Sequence, residues 1–415
     1  MTVIEQMGAA AKVAARTLAT AGEKKNDALK AIAAALVAQA DSIIAANRID
    51  LENGKQNGLS ASLLDRLMLD QKRIEGIAQG VLEVAALPDP IGTVISGGVR
   101  PNGLNITKVR VPLGVIGIIF EARPNVTADA AVLCLKSGNA VILRGGKEAI
   151  HSNQCIAEIM RSAVESVGLD KNSIQLIQDT SRASSTELMG LTDYLDVLIP
   201  RGGKGLIRAV VENARVPVIE TGAGNCHVYV DAKADIDMAA DIIFNAKTSR
   251  PSVCNAIETI LVHEAVAERA LPVIKARLDE KNVELRGCEK TAAILGDCVV
   301  PAVESDWETE YGDYILAVKV VSSFDEAIAH IAAYSSGHSE CIITEDYKTA
   351  KRFTEVVDAA AVYVNASTRF TDGGMFGLGA EIGISTQKLH ARGPMGLNEL
   401  TSMKFVIEGE GQTRW

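Results

Sequence analysis

The sequence predicts an α/β protein with two parallel-sheet units in series. Two series of short apolar segments alternate with longer amphipathic segments, one series starting at residue 115 and the other at residue 227. Strands alternating with helices of this length favour parallel sheets with right-handed crossovers. A stretch at 91–111, rich in glycine with short β-branched pieces, predicts a hairpin that stands apart from the helices.

The first ninety residues predict helices. Apolar side chains recur at helical spacing between Leu29 and Ile44, with polar residues between them, and a second such series runs from Leu63 to Val81. In the first alternating series the predicted strands are 115–120, 140–143, 174–177, 196–199 and 216–219, and the predicted helices are 128–135, 148–167, 184–190 and one ending near 213.

The second alternating series follows a break that we place at 220–226. Its predicted strands are 227–230, 259–262, 315–321, 341–344 and 361–364, and its predicted helices are 236–248, 264–278, 324–333 and 347–357. A glycine-rich stretch at 370–397 precedes a short strand-like segment at 403–408.

Composition narrows the class of protein. The 415 residues are 47% hydrophobic and 23% charged, which is typical of a globular protein. A net charge of −10 argues against nucleic-acid binding, and the lack of a long apolar run predicts no membrane association. We expect no signal peptide either. The seven cysteines form no Cys-x-x-Cys pair, which favours reduced thiols in the cytoplasm over disulfides or a metal site.

The usual phosphate-binding loops are missing from the sequence. No G-x-G-x-x-G follows a predicted strand, and Gly202-Gly-Lys-Gly205 lacks the Ser or Thr of a Walker A loop. The turn still offers backbone N–H groups at a predicted helix start, with Arg201 and Lys204 beside them. Gly202, Gly203 and Lys204 are therefore candidate pyrophosphate ligands. The alternative is a glycine-rich connector without a ligand.

Cys254 differs from the other cysteines in its neighbours. Arg250 and Pro251 place it in an irregular segment between a predicted helix and a predicted strand. An exposed, electropositive setting lowers the pKa of a thiol and makes it a nucleophile. The alternative is a packed, inert thiol.

Several segments together resemble the aldehyde dehydrogenase superfamily. They are Pro112-Leu-Gly-Val-Ile-Gly117, Lys136-Ser-Gly-Asn-Ala-Val-Ile-Leu-Arg144, and Val218-Ile-Glu-Thr-Gly222, with Glu220 lying 34 residues before Cys254. Within that superfamily the chain resembles the γ-glutamyl phosphate reductase family. The segments that carry this closer resemblance are Glu121-Ala-Arg-Pro-Asn-Val126, Arg250-Pro-Ser-Val-Cys254 and 321–342.

The resemblance implies an aldehyde dehydrogenase-like fold of three parts. Residues 1–94 and 112–222 would form the cofactor-binding domain, 223–395 the catalytic domain, and 95–111 with 396–415 an oligomerisation hairpin and tail. Members of the family assemble through the third part, so a homo-oligomer is implied. An association with glutamate 5-kinase is left open.

The implied reaction is the NADPH-dependent reduction of L-glutamyl 5-phosphate to L-glutamate 5-semialdehyde and phosphate, the second step of proline biosynthesis. Cys254 would attack the acyl phosphate and form a thioester, which hydride then reduces. No metal takes part. The alternatives are a hydrolytic semialdehyde dehydrogenase and a non-catalytic binding protein on the same fold.

The resemblance also implies roles for side chains near the substrate. Arg123 lies near the position of an asparagine that binds the oxyanion in ordinary aldehyde dehydrogenases, and a cation there suits a phosphate or carboxylate. Asn125 is then a candidate oxyanion donor. Glu220 aligns with the residue that activates water in oxidising relatives. Glu220 is therefore either held away from the thioester, used in another role, or purely structural. Arg250 would bind an anionic substrate end or raise the local positive potential.

The expected cofactor residues differ from those of NAD-preferring relatives. These have Lys-Pro-Ser-Glu where this chain has Arg144-Gly-Gly-Lys147, and Lys147 offers a cation to the 2′-phosphate of NADPH. Glu310 lies in a loop that contacts ribose and nicotinamide in relatives, although Thr309 fills their glutamate position. His338 has three possible roles: general acid, structural turn residue or substrate-pocket contact.

Overall fold

A computed structural model describes residues 1–414, without the side chain of Ser62. The chain forms two compact units. The first unit comprises Met1–Thr221, Gly377–Gly383 and the C-terminal segment from Met395, and the second comprises Gly222–Phe376 and Ile384–Pro394. Both units contain a parallel sheet with helices, and the first also carries a small antiparallel sheet, so the predicted fold class is confirmed. Trp415, the last residue of the predicted tail, lies outside the described residues.

The described residues form fourteen α-helices and sixteen strands. The helices are α1 (Val3–Leu18), α2 (Lys24–Ala38), α3 (Ala40–Gln56), α4 (Ala61–Leu67), α5 (Gln71–Ala86), α6 (Asn125–Lys136), α7 (Ile150–Ser166), α8 (Arg182–Met189), α9 (Lys204–Asn213), α10 (Ile236–Thr248), α11 (Glu264–Asp279), α12 (Glu289–Leu295), α13 (Phe324–Tyr334) and α14 (Tyr347–Val356). The strands are β1 (Val94–Val99), β2 (Asn105–Pro112), β3 (Val115–Phe120), β4 (Ala140–Gly145), β5 (Ile174–Leu176), β6 (Val197–Arg201), β7 (Cys226–Val230), β8 (Ile257–His263), β9 (Glu284–Gly287), β10 (Val299–Pro301), β11 (Ile315–Val321), β12 (Ser339–Ile343), β13 (Ala361–Val364), β14 (Ile384–Ser385), β15 (Gly393–Pro394) and β16 (Thr401–Glu408).

The first unit contains a four-stranded parallel sheet in the order β5-β4-β3-β6. Every residue of β3 is buried, which is typical of a parallel strand covered on both faces. Ile118 of this strand lies opposite Leu143 on one side and Ile199 on the other. The strand order reverses between β3 and β6. Ligands of open α/β sheets bind at the carboxyl ends of strands at such a switch point.

The second unit contains a seven-stranded sheet in the order β10-β9-β11-β8-β7-β12-β13, all parallel. Alternate residues of the strands pack on opposite faces. Val228 packs with Ile243 of α10 and Leu271 of α11 on one face. Its neighbour Tyr229 packs with Phe353 of α14 on the other.

A separate antiparallel sheet has the order β1-β2-β16. It confirms the predicted hairpin and pairs it with the strand predicted at 403–408. The sheet exposes large apolar side chains on both of its edge strands, namely Val94, Ile95, Val99, Met403, Phe405 and Ile407.

Three local predictions differ from the structure. The strand predicted at 216–219 is only an isolated bridge between Leu198 and Val218, because Pro217 has no N–H to donate to a ladder. The elements β9, α12 and β10 were not predicted; all three are short, and β9 and α12 also carry charged residues. Gly377–Gly383 belongs to the first unit, whereas the sequence predicted 223–395 as one continuous domain.

No single helix among the described residues is long and apolar enough to cross a membrane. The pair α2 and α3 meets that criterion by length and composition only, and the two helices are bent by 68° at their junction.

Replacement of Ile118 by Ala should destabilise the first unit. Ile118 is fully buried, and a cavity at such a site costs about 2–5 kcal/mol of unfolding free energy. Ile49 on α3 is 47% exposed, and the same substitution there should change the stability by less than about 0.5 kcal/mol. Urea unfolding followed by circular dichroism measures both midpoints. Equal midpoints for the two variants would contradict the assigned core.

Candidate active site

Cys254 lies in the segment that connects α10 to β8. The segment runs from Ser249 to Ala256; Cys254 is partly exposed, while the next residue, Asn255, is buried. The Cys254 thiol is therefore accessible, although the chain enters the core at the next residue. This placement agrees with the irregular segment expected from the sequence.

The backbone of Cys254 is fixed from one side by the start of β7. Cys226 donates its S–H to the carbonyl oxygen of Cys254 at 3.2 Å. Burial raises the pKa of the Cys226 thiol well above its usual value, so the group stays protonated and remains a donor. Gly224 lies against the same carbonyl, and a Cβ at this position would overlap the Cys254 backbone. A side chain at residue 224 is therefore incompatible with this path of the segment.

A loop after β13 holds the segment from another side. The Asn255 amide donates to the Thr371 carbonyl at 2.9 Å, and the Thr368 hydroxyl donates to the Asn255 carbonyl at 2.6 Å. The Arg369 guanidinium donates through Nη1 to the Asn255 side-chain oxygen and through Nε to Ser249 Oγ, the latter at 2.8 Å. Arg369 thus connects both ends of the segment that carries the thiol.

Arg369 is a residue that the sequence analysis missed. Burial and the positive charge of Arg250 lower the pKa of Arg369, while the Cys254 thiolate acts in the opposite direction. The positive charge of Arg369 therefore interacts with the Cys254 thiolate, and the positive charge of Arg250 interacts with Arg369. Such surroundings favour the thiolate, the reactive form. Because Arg369 lies far along the chain from Cys254, no local sequence pattern connects the two.

His338 lies in the interior, directly before β12. Its Nδ1 is 2.8 Å from Ser339 Oγ and 3.8 Å from Cys226 Sγ, the thiol that contacts the Cys254 backbone. Burial lowers the pKa of His338 to about 4, so the ring is neutral at neutral pH. Full burial favours the structural alternative for His338. Its predicted contact with substrate stays a prediction.

Glu310 is exposed on the loop before β11. The loop is anchored where the Gly312 N–H donates to Glu258 Oε1 at 3.1 Å. The other carboxylate oxygen of Glu258 is 2.6 Å from Lys247 Nζ, and both side chains are buried. Burial raises the pKa of Glu258 to about 7 despite the lysine. A buried ion pair at the start of β8 thus supports the loop that presents Glu310.

In the first unit, the carboxyl ends of β3 and β6 bring Glu121 to the start of α9. Glu121 Oε2 accepts a hydrogen bond from the Gly203 N–H at 2.8 Å. Gly202, Gly203 and Lys204 are exposed, as a phosphate-binding turn requires. The helix start predicted to hold pyrophosphate therefore already contacts an anion, the protein's own carboxylate.

Arg123 and Asn125 lie at the start of α6, after β3. Arg123 is partly buried. The Asn125 amide donates to Asp129 Oδ2 at 2.8 Å, one turn along the helix. Burial raises the pKa of Asp129 to about 6, although the Asn125 hydrogen bond and the positive charge of Arg201 act in the opposite direction. The orientation of the Asn125 amide is thus set by its own helix.

The two predicted cations at the end of β4 have different surroundings. Arg144 Nη2 donates to the Thr180 carbonyl at 2.7 Å and to the Ser181 carbonyl at 2.9 Å, so this guanidinium joins two backbone segments. Lys147 is exposed at the start of a short 3-10 turn. Of the two, Lys147 is the one available to a ligand.

The predicted site residues divide between the two units. The first unit carries Arg123, Asn125, Arg144, Lys147, Gly202, Gly203, Lys204 and Glu220, and the second carries Arg250, Cys254, Glu310 and His338. Glu220 is partly buried and directly follows Ile219, whose N–H donates to the Leu198 carbonyl of β6 at 3.0 Å. Within the second unit, Arg250 and Cys254 each interact electrostatically with Arg369.

Replacement of Gly224 by Ala should loosen the segment around Cys254. The added methyl overlaps the Cys254 backbone, and overpacking of this kind costs about 1–3 kcal/mol. Amide hydrogen exchange in peptides covering 249–256, measured by mass spectrometry, should accelerate roughly tenfold or more. Gly80 on α5 has open space around it, so Gly80→Ala is the matched control. Unchanged exchange in Gly224→Ala would show that residue 224 does not constrain Cys254.

Comparison with known proteins identifies the family. The chain is 61% identical over 412 residues to a γ-glutamyl phosphate reductase from Halothermothrix orenii, covering 99% of this chain and 98% of that protein. The crystal structure of γ-glutamyl phosphate reductase from Thermotoga maritima matches with a TM-score of 0.96 at 52% identity, covering 99% of both chains. The Saccharomyces cerevisiae structure of that name is 32% identical, with a TM-score of 0.56, and the match covers 100% of this chain and 99% of that one. The model of the aldehyde dehydrogenase family matches residues 2–294 and 303–406. The chain therefore belongs to the aldehyde dehydrogenase family and, within it, to the γ-glutamyl phosphate reductase family.

Proposed function

We propose that this protein reduces L-glutamyl 5-phosphate to L-glutamate 5-semialdehyde and phosphate with NADPH, in the second step of proline biosynthesis. The observation that carries the proposal is Cys254, a partly exposed thiol that is fixed at its backbone and that interacts electrostatically with Arg369. The full-length similarity to proteins named γ-glutamyl phosphate reductase supports the substrate.

In this reaction the Cys254 thiolate attacks C5 of the substrate. The S–C5 bond forms, the bond from C5 to the bridging oxygen breaks, and phosphate leaves with the electron pair and takes up a proton. The nicotinamide, when bound, supplies hydride to the thioester carbon. The C5–S bond then breaks, which restores the thiolate and releases the aldehyde. Covalent catalysis of this kind divides one difficult step into two easier ones.

Water must be kept from the thioester, because hydrolysis would waste the activated substrate. Glu220 aligns with the residue that activates water in oxidising relatives. We therefore assign Glu220 no role as a base here. Its partly buried position beside β6 fits a structural role or a position away from the thioester.

Three further side chains are assigned to the substrate. Arg123 and Arg250 carry positive charge suited to its phosphate or carboxylate, since Arg makes planar, bidentate contacts with such anions. Asn125 is assigned as an oxyanion donor. Its amide donates to Asp129 in this structure, so the second amide hydrogen is the one available to substrate.

The residues at the carboxyl edge of the first sheet fit an NADPH phosphate group. Lys147 is an exposed cation that suits the 2′-phosphate, and Arg144, at the end of β4, is also assigned to the cofactor, although its guanidinium donates to the Thr180 carbonyl in this structure. The turn at 202–204 is assigned to the pyrophosphate, for which Glu121 must withdraw from the Gly203 N–H. Glu310 is assigned to the ribose or nicotinamide side.

We also propose that the protein works as a homo-oligomer in the cytoplasm. The exposed apolar side chains on β1 and β16 form a surface suited to a second copy of the chain. All seven cysteines are free thiols, which fits a reducing compartment. Association with glutamate 5-kinase would shorten the exposure of the labile acyl phosphate to water.

The main test of the function is phosphate-dependent reduction of NADP⁺ by glutamate 5-semialdehyde. The wild type should require phosphate as the acyl acceptor. Cys254→Ala should lower the rate on the order of 10⁴-fold or more, as loss of a catalytic nucleophile does in other enzymes. Cys298→Ala is the matched control, because Cys298 is an exposed thiol outside the nucleophile segment. Activity without phosphate would instead indicate a hydrolytic dehydrogenase, and an active Cys254→Ala variant would contradict the thioester.

Replacement of Lys147 by Glu should shift the cofactor preference towards NADH. The carboxylate repels a 2′-phosphate and accepts hydrogen bonds from a ribose hydroxyl. The ratio of kcat/KM for NADPH to that for NADH should fall about tenfold or more. Lys72, an exposed lysine on α5, provides the control variant Lys72→Glu. An unchanged ratio in Lys147→Glu would remove this residue from the cofactor site.

A further inference from the structure

We propose that Arg369 binds the phosphoryl group of the substrate beside Cys254, and binds the phosphate ion that the first chemical step releases. The inference rests on the proposed function and deepens it, because it assigns a substrate contact to a residue that the sequence resemblance did not indicate.

The position of Arg369 is fixed by the nucleophile segment itself. Its guanidinium donates to Ser249 Oγ and to the side-chain oxygen of Asn255, the residue that follows Cys254. Both acceptors are uncharged, so these contacts orient the guanidinium without neutralising it. Arg carries five N–H donors, and these contacts use two of them, which leaves three for a ligand.

The charges around Arg369 favour an anion. Arg250 is close enough for its positive charge to act on Arg369, and two like charges held together are relieved when an anion lies beside both. The acidic side chain that acts on Arg369 is Asp372. Its Oδ1 accepts the N–H groups of Gly374 at 2.9 Å and Met375 at 3.2 Å, so this carboxylate is engaged in its own turn.

The reaction determines which substrate anion Arg369 binds. During attack, the sulfur of Cys254 bonds to C5, and the phosphorus is joined to C5 through one bridging oxygen. The carboxylate at C1 is separated from C5 by three carbon atoms. The Arg369 guanidinium is hydrogen-bonded to Asn255, the residue next to the nucleophile, so it is positioned to bind the phosphoryl group rather than the C1 carboxylate. The planar fork of Arg matches phosphate oxygens.

The Arg369 guanidinium can stabilise the negative charge both before and after the first chemical step. Before attack, the negative charge is on the thiolate, with which Arg369 interacts. As the S–C5 bond forms and the C5–O bond breaks, that charge is transferred to the departing phosphate. A fixed cation beside both positions stabilises the charge where it develops.

The experiment compares Arg369→Gln with the wild type in the phosphate-dependent reduction of NADP⁺. The KM for phosphate should rise about tenfold or more, as expected for the loss of a charge-assisted hydrogen bond, while the KM for the semialdehyde should change less than about twofold. Arg369→Lys keeps the charge and should retain part of the phosphate affinity. Arg352→Gln is the matched control, because it removes an exposed arginine that is paired with Asp325 outside the nucleophile segment; it should change the KM for phosphate by less than about twofold.

A second measurement does not depend on turnover. Inorganic phosphate should slow the alkylation of Cys254 by iodoacetamide in the wild type, followed by mass spectrometry of the Cys254 peptide, and should give no protection in Arg369→Gln. Equal protection in both proteins, or none in the wild type, would overturn the inference. So would a rise in the KM for the semialdehyde alone, which would assign Arg369 to the carboxylate. If the wild type reduces NADP⁺ without phosphate, the proposed function fails, and the protection experiment still decides whether Arg369 binds phosphate.

Discussion

The arrangement around Cys254 depends on the restraint of one short backbone segment. On one side, the carbonyl of Cys254 accepts a hydrogen bond from the Cys226 thiol. Gly224 lies so close to this carbonyl that any side chain at residue 224 would overlap the Cys254 backbone. On the other side, the loop after β13 binds Asn255 through three residues, Thr368, Arg369 and Thr371. The segment itself is irregular, so it has no ladder hydrogen bonds to hold it. Side chains and a close backbone approach supply that rigidity instead, and the thiol stays accessible.

Much of the fold followed from periodicity. Buried parallel strands such as β3 and the first four residues of β4 are continuous apolar runs, and many of the helices repeat apolar residues at helical spacing, so both types of element were predictable. The short strands β9 and β10 carry little of that signal, because they are only four and three residues long. Pro217 shows the opposite case, where an apolar run is prevented from forming a strand by one missing N–H.

The candidate site was predictable only in part. Cys254 and Arg250 lie within one segment, so their neighbours in the sequence indicate them. Arg369 reaches the same segment from a distant loop, and only the folded chain shows the contact. Arg144 and Lys147 were both predicted to bind the cofactor, yet the Arg144 guanidinium donates to the carbonyls of Thr180 and Ser181, whereas Lys147 is exposed. Side-chain surroundings of this kind arise from tertiary contacts and leave no local pattern.

Because the Gly203 N–H donates to Glu121, the amino end of α9 already interacts with a negatively charged group. A phosphate-bearing ligand that arrives there exchanges one anion for another, so much of the attraction expected from the helix dipole is already satisfied. The net free energy gained on binding is correspondingly small, because the ligand replaces the Glu121 carboxylate. When the ligand departs, the carboxylate can again accept the hydrogen bond from the Gly203 N–H. If the proposed pyrophosphate binds at this turn, the Glu121 carboxylate acts as a built-in competitor that limits how tightly the ligand is retained and favours repeated exchange over long residence.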